Sequence, residues 1–453
     1  MKKINNFVIK NLDKILTIFI FLQPILDVFT AISIKRFNIN LTIGSITRVI
    51  FLLFCIYYLV FLNKNYRRKN IMFLLLLGIY FTSFSIITLI YKDINILPYE
   101  LKNTLNTFYL PITLITLLEI FKENKVNFKL KNLIITFSIY LIFIIIPALT
   151  NTSFLSYSHY KLGTVGWFLS ANAVGNILSF LLPLIIWYLI KICKNKFIRI
   201  FILISTLYVF INMGTKVPIL SLLIISITNI IYFLILNIKK KNYKIVSISI
   251  LGVILSCIIT AIIIPKTTFY KNLEIHRKYL GINSYTEILT SYDHINNFIF
   301  SERLTFLSNT HKSYNKSHLA EKILGIGYVE NYNTPKESTK TIEIDYTEIF
   351  YRHGIVGTIL YFFIFIKVLI IALKKVISKF NLLNLEFFTS IILILLLSLF
   401  SGHILVTPSV SIYISLLFVI IINGFKEIDY NKKIWYDYWE YGGFNYEWYK
   451  TNI

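Results

Sequence analysis

The stretch IEIDYTEIFYRHGIVGTILYFFIF, residues 342–365, opens with three carboxylates in seven residues and closes on an uncharged run that starts at Gly354. Followed downstream, the run reaches residue 373 with Lys367 as its one charge, long enough for a helix to cross about 30 Å of hydrocarbon. Upstream, the stretch ends a polar segment, 265–354, wedged between hydrophobic blocks that otherwise succeed one another with hardly a pause. The junction reads as the point where the chain leaves a water-facing region and enters a bilayer.

Composition agrees. Of 453 residues, 56% are hydrophobic and only 15% charged, and the mean hydropathy is +0.68, outside the range of soluble globular chains. The expected fold is an all-α polytopic membrane protein with about twelve transmembrane helices. The spans fall at 14–34, 46–62, 71–91, 104–121, 132–149, 170–190, 200–213, 217–237, 245–264, 355–373, 385–402 and 409–424, the seventh needing flanking residues to cross. Residues 1–264 then carry nine helices, 265–354 form one large extracytoplasmic loop between helices nine and ten, 355–424 carry three more, and 425–453 form a cytoplasmic tail. The first apolar run carries Pro24 and Asp27 and lacks a small-residue cleavage site, so it reads as a retained span.

The net charge of +24 would suggest nucleic acid were its lysines not gathered in short clusters between apolar runs. NKNYRRKN (63–70), KENKVNFKLK (122–131), KICKNKFIR (191–199), IKKKNYK (238–244) and KKVISKF (374–380) all fall on one side of the membrane, and the opposite loops near 92–103, 150–169 and 401–408 are sparse in Lys and Arg. By the positive-inside rule both termini are cytoplasmic and the long segment faces outward. Abundant Ile, Asn and Lys fits an AT-rich bacterial coding sequence, a hint about source and not a physical argument, and the expected location is the bacterial cytoplasmic (inner) membrane. Outside that membrane no ATP or nucleotide sugar is at hand, so chemistry there needs a donor that carries its own activation. No Walker A or GxGxxG motif occurs; Gly214-Thr215-Lys216 lacks the upstream glycine of a phosphate loop. Cys55, Cys193 and Cys257 have neither metal-knuckle nor disulfide-framework spacing, and the loop histidines His276, His294, His311 and His318 show no HExxH spacing.

Within the outer segment, Arg303 opens ERLTFLSNTHKSYNKS, ILGIGYVENYN follows at 323–333, and the opening stretch leads into the tenth span. An Arg in an amphipathic stretch, a Leu-Gly-x-Gly turn, then a polar residue about ten before Gly-x-x-Gly at a helix head resembles the O-antigen ligase and O-antigen polymerase family. The ordered motifs cover about 210–365, and the span count and loop placement extend the likeness over most of the chain. The resemblance implies a metal-independent membrane glycosyltransferase without cofactor, whose partners are a polyprenyl-diphosphate-linked oligosaccharide donor, a glycan acceptor, membrane lipid and other envelope polysaccharide assembly proteins. It also implies diphosphate contacts from Lys216, in NMGTKVPIL, and Arg303. The family commonly has Arg at the first place; Lys216 exchanges a bidentate fork for a point charge. A snorkelling lysine at a helix end is the plainer reading.

Ligases of this family place a His eleven residues before the first Gly of Gly-x-x-Gly; here that position is Glu343. A polymerase or divergent transferase stays open. Glu343 is one candidate general base and Asp345 its rival. Asp345-x-x-Glu348 also reads as a capping box opening a helix. With a helix starting before Glu343 the two carboxylates would lie roughly 200° apart, and in an extended lead-in they point the same way. Glu348 and Arg352 are spaced for an i,i+4 pair, which makes Arg352 structural before it is a diphosphate ligand. His353 is a further catalytic candidate, and Arg48, with Lys161 and Trp167, lies among outward groups that either line the site or anchor the interface. Asp27, inside a span, is a helix-packing polar group first. In the tail, Trp435, Tyr436, Tyr438, Trp439, Tyr441, Tyr446, Trp448 and Tyr449 read as an interfacial anchor or a docking site. Twelve spans also suit a transporter of lipid-linked sugars, but repeated halves with matching broken helices are not visible. A structural protein of an envelope complex is the third reading.

Overall fold

The computed structural model describes residues 2–39, 42–63, 67–124, 126, 128–157, 161–329, 342–429 and 434–437. Its helices are α1 (Lys2–Lys10), α2 (Leu12–Phe37), α3 (Ile43–Tyr57), α4 (Arg67–Tyr91), α5 (Leu97–Asn124), α6 (Leu130–Leu149), α7 (Ala171–Lys191), α8 (Lys196–Asn212), α9 (Lys216–Lys239) and α10 (Tyr243–Ile263). The polar segment folds as α11 (Thr268–Tyr279), α12 (Tyr292–His294), α13 (Arg303–Lys316) and α14 (Leu319–Leu324); α15 (Asp345–Ile377), α16 (Leu382–Phe400) and α17 (Pro408–Asn423) follow. Residues 330–333 of the quoted motif, and the tail from 438 onward, lie outside the described residues.

The protein is a helical, multi-pass membrane protein. Among the described residues nine helices are long and apolar enough to cross a bilayer. The outer faces of α3 and α4 carry Ile50, Leu53 and Ile79, each about 60% exposed, which in water would be a large liability and in lipid is solvation. Polar caps start several helices: Thr42, Ser170, Asn195 and Asn381 each accept a backbone N–H from the first turn. Interhelical hydroxyl pairs add to packing, Ser221 Oγ to Ser179 Oγ at 2.9 Å between α9 and α7, and Thr113 to Ser415 at 2.9 Å between α5 and α17; such contacts contribute about 0.6 kcal/mol each in membranes.

At the three other places where a span is expected, α8 and α17 have 17 and 16 residues, and the described apolar stretch of α10 is Tyr243–Gly252. Helix α17 is the informative one. Every residue from Ser409 to Ile421 is buried, so it is enclosed by other helices, chiefly α5 and α15, instead of facing lipid. Two short strand pairs accompany the all-α framework: Phe154–Leu155 (β1) pairs with Thr164–Gly166 (β2), and Lys426–Asp429 (β3) with Ile434–Asp437 (β4), the last carrying Trp435 and Tyr436. Cys55 and Cys193 are free thiols.

Helix α15 is broken within itself. Gly354 sits at φ 62°, ψ −167°, a conformation reserved for glycine. The break frees carbonyls in the turn before it, and the Leu-Gly-x-Gly turn supplies the missing donors: Ile326 N–H bonds Tyr351 O at 3.1 Å and Gly327 N–H bonds Arg352 O at 3.2 Å. The turn is fastened from the other side by Glu100 of α5, whose carboxylate accepts the Tyr328 and Val329 N–H groups at 2.7–2.9 Å. Lys92 closes the clamp, 3.0 Å from Glu100 and 2.6 Å from Ile326 O. A Cβ on Gly325 would overlap Arg352 O and come within 2.6 Å of His353 Cα. Gly325→Ala is therefore expected to destabilise the protein by roughly 1–3 kcal/mol, the usual cost of overpacking, seen as a lower thermal midpoint in detergent; an unchanged midpoint would contradict this packing.

Candidate active site

Three segments converge where α15 begins, and each contains left-handed backbone at a non-glycine residue: Ser301 and Glu302 before α13, Glu343 before α15, and His403 between α16 and α17. Such residues cost about 1–3 kcal/mol apiece and persist where surrounding contacts over-determine them. Here the contacts are explicit. Arg303 directs Nε and Nη2 to Glu343 Oε2 at 3.2 and 2.8 Å, Nη1 to Phe300 O and Phe400 O at 3.3 and 2.8 Å, and Nη2 also to Ser401 O at 3.2 Å. Those five bonds match the five N–H donors of a guanidinium. Arg303 thus pins α13, the lead-in to α15 and the end of α16 together.

The helix begins after Glu343, with Ile344 as N-cap and Asp345 as its first residue, but the lead-in is not extended throughout, since Glu343 is left-handed. Asp345 is not the cap. Its Oδ1 accepts His403 N–H at 2.9 Å, and Oδ2 accepts Ile404 and Leu405 N–H at 2.9 and 2.8 Å, so the carboxylate folds the α16–α17 loop around itself. Glu348 reaches back to Ile342 N–H at 2.6 Å and pairs with Arg352 Nε at 3.2 Å. Opposite, Asn176 Nδ2 of α7 donates to Gly402 O at 3.1 Å, and a Cβ on Gly402 would strike the Glu343 backbone. Between these groups lies a cavity of about 190 Å³. Glu343, Asp345, Glu348 and His403 line it on one side; Asn103, Asn106 and Thr107 of α5 supply neutral hydrogen-bonding groups on the other.

Glu343 lies with Oε1 3.7 Å from His403 Nε2. Burial alone would raise its pKa, but His403 and Arg303 outweigh burial and hold it at about 2. His403 responds in the opposite direction: burial disfavours its charged form, yet Glu343 and then Asp345 lift its pKa above the ordinary 6.5. Nothing in the sequence singled out His403; its only local signal is a Ser-Gly-His turn between two apolar runs, and its importance comes from where Asp345 folds it.

The second expected cation sits apart from the carboxylates. Lys216, first residue of α9, donates to Phe298 O and lies 4.9 Å from the Phe298 ring centroid. Asn272 of α11 sets its surroundings, bonding Leu162 N–H at 2.6 Å and Gly214 O at 3.0 Å, which ties the loop carrying Lys161 to the turn before Lys216. One turn on, His276 stacks on Phe298 with centroids 5.3 Å apart. Burial, then Lys161 and Lys216, push His276 down to about 4, leaving it neutral. Among the described residues neither Lys161 nor Lys216 has a carboxylate partner.

The remaining candidates fall elsewhere. Arg352 is fully buried, its Nη1 bonded to Gly327 O at 3.0 Å beside the pair with Glu348. His353 is equally buried, with Nδ1 3.1 Å from Tyr80 Oη and Nε2 3.1 Å from Tyr328 Oη, so both ring nitrogens serve packing. Arg48 pairs with Asp27 and donates to Gln23 Oε1 at 3.2 Å, while Tyr140 bonds Asp27 at 3.1 Å; the group joins α2, α3 and α6 as Asp27 was expected to. Trp167 donates to Thr152 Oγ1 at 3.1 Å.

The model of one protein family, described as O-antigen ligase like membrane protein, matches residues 10–284 and 283–428. No curated protein matches the chain.

Because Glu343 is held near 2 against an ordinary 4.5, its pairing contributes stability in full above about pH 4.5 and loses it as pH falls toward 2. Glu343→Gln is expected to lower the thermal midpoint by roughly 2–4 °C near neutrality, the shift that about 1 kcal/mol makes in a large domain. The gap to wild type should close on acidification below about pH 4.5; thermal scans showing a gap that stays constant in acid would refute the pairing.

Proposed function

The chain belongs to the O-antigen ligase like membrane proteins, and from that membership we propose that it transfers glycan from a polyprenyl-diphosphate carrier to a glycan acceptor, as a surface-polysaccharide polymerase or ligase. The reaction is placed at the outer face of a bacterial cytoplasmic membrane, with both termini inside, twelve spans in all and the segment 265–354 outside. The clustering of lysines in alternate loops supports that orientation.

The acceptor hydroxyl attacks the anomeric carbon and the lipid diphosphate departs. Negative charge grows on the diphosphate in the transition state, where fixed cations stabilise most. Lys216 has one of its three N–H donors on Phe298 O, leaving two for phosphate oxygens. Arg303, whose donors are committed to protein acceptors, contributes charge from a fixed place and orients Glu343 toward the acceptor side. Asp345 builds the loop that closes the cavity. The cations perform the charge neutralisation that a divalent ion supplies elsewhere, so no metal enters the scheme. The observation that carries this reading is the ammonium of Lys216, without a carboxylate partner among the described residues, on an Asn272-knotted junction with Lys161. A lipid-linked sugar transporter is not favoured, since the matching family is described as O-antigen ligase like.

Lys216→Met in a deletion strain is expected to reduce transfer about a hundredfold or more, in line with the loss of one transition-state charge contact. Gels of surface glycan would show long chains missing at normal protein amount, and Lys216→Arg would retain them. Long glycan at wild-type level from Lys216→Met would overturn the assignment.

A further inference from the structure

The carboxylate at the expected base position is poorly suited to taking a proton. Glu343 Oε2 is occupied by two guanidinium N–H groups and Oε1 faces an imidazole. A carboxylate so compensated gains little by protonation, and proton-transfer efficiency falls with basicity. The imidazole opposite has the properties the carboxylate lacks. His403 lines the cavity with its side chain 31% exposed. Its backbone is fixed through Asp345 and held left-handed at φ 59°. With Nε2–H turned to Glu343, Nδ1 carries a lone pair, and among the described residues no hydrogen-bond partner meets it.

We propose that His403, oriented by Glu343 as a carboxylate–imidazole pair, is the general base that receives the proton of the acceptor hydroxyl. The inference rests on the glycosyl-transfer reading above. The acceptor O–H proton passes to Nδ1 of His403; the oxygen's electron pair forms the new bond to the anomeric carbon; and the bond from that carbon to the diphosphate oxygen breaks, its pair leaving with the lipid diphosphate. The imidazolium, stabilised by Glu343, then releases its proton to the outer solution. Glu343 fixes ring and tautomer, as the acid of a catalytic triad does for its histidine. A base poised slightly above the ordinary imidazole value suits work near neutral pH, and the groups that set it are Glu343 from the lead-in, Asp345 and Glu348 from α15 and Arg303 from α13; α5 and α7 contribute the uncharged Asn103, Asn106 and Asn176.

The test uses full-length protein in washed membranes, supplied with the lipid-linked oligosaccharide extract of a deletion strain. His403→Asn, a residue that tolerates left-handed backbone, and His403→Gly, which needs none, are compared with Lys216→Met. Both His403 variants are expected to lose about a hundredfold in rate or more, the usual contribution of a general base, with thermal midpoints near wild type. Added imidazole should restore part of the rate to His403→Gly alone. The wild-type rate should rise with pH through the imidazole range, and Glu343→Gln, by removing the carboxylate that lifts His403, should shift that rise to lower pH. A His403→Asn that keeps wild-type rate, a folded His403→Gly that imidazole fails to revive, or a pH profile unmoved by Glu343→Gln overturns the proposal. Failure of the wider reading looks different: Lys216→Met would then keep its activity too.

Discussion

One broken turn organises this end of the molecule. Gly354 stops helix α15 in a conformation only glycine adopts readily, and the carbonyls it strands need donors from elsewhere in the protein. The Leu-Gly-x-Gly turn answers that demand, and the turn is in turn pinned by Glu100 and Lys92. Two glycine motifs about thirty residues apart in the sequence are therefore one structural unit: Gly354 makes the gap, and Gly325, with no side chain to obstruct it, lets the filler approach. What the unit holds rigid is the first part of α15, which carries Asp345, Glu348, Arg352 and His353.

From that rigid start, polar groups divide into those consumed by architecture and those left facing the cavity. Asp345 spends both oxygens on backbone amides; Arg352 and His353 are buried in bonds to the turn and to Tyr80 and Tyr328. Of the groups lining the cavity, Glu343 and His403 keep partly exposed side chains, each altering the other's proton affinity in the direction expected for opposite charges. Lys216 and Lys161 gather on a separate junction where, among the described residues, neither has a carboxylate partner. On the proposed reading an anionic leaving group would supply the missing counter-charge.

Much of the helical framework was legible in hydropathy, because a run of Ile, Leu and Phe between lysine clusters has few alternatives to a spanning helix. Helix α17 shows the limit: its sequence is apolar enough to read as a span, but hydropathy does not say whether an apolar face meets lipid or another helix. Glu343, Asp345 and Arg303 could be picked out because motif order carries them. The roles of Asp345 and Arg303 could not, since three amides of a loop some sixty residues later, and carbonyls about a hundred residues away, decide them. Glu100 and Asn272 stand in no motif, and His403 had only the Ser-Gly-His turn around it. Each matters through a partner brought near only by the tertiary fold, and none stands in a spacing that implies its partner.

The enclosure of α17 has a consequence for the loop in front of it. Residues Ser409–Ile421 are gripped by α5, α15 and α7, and His403 stands only a few residues before that helix. A substitution that shifts α17 within its sheath is thereby felt at the imidazole, although it touches neither Glu343 nor Asp345.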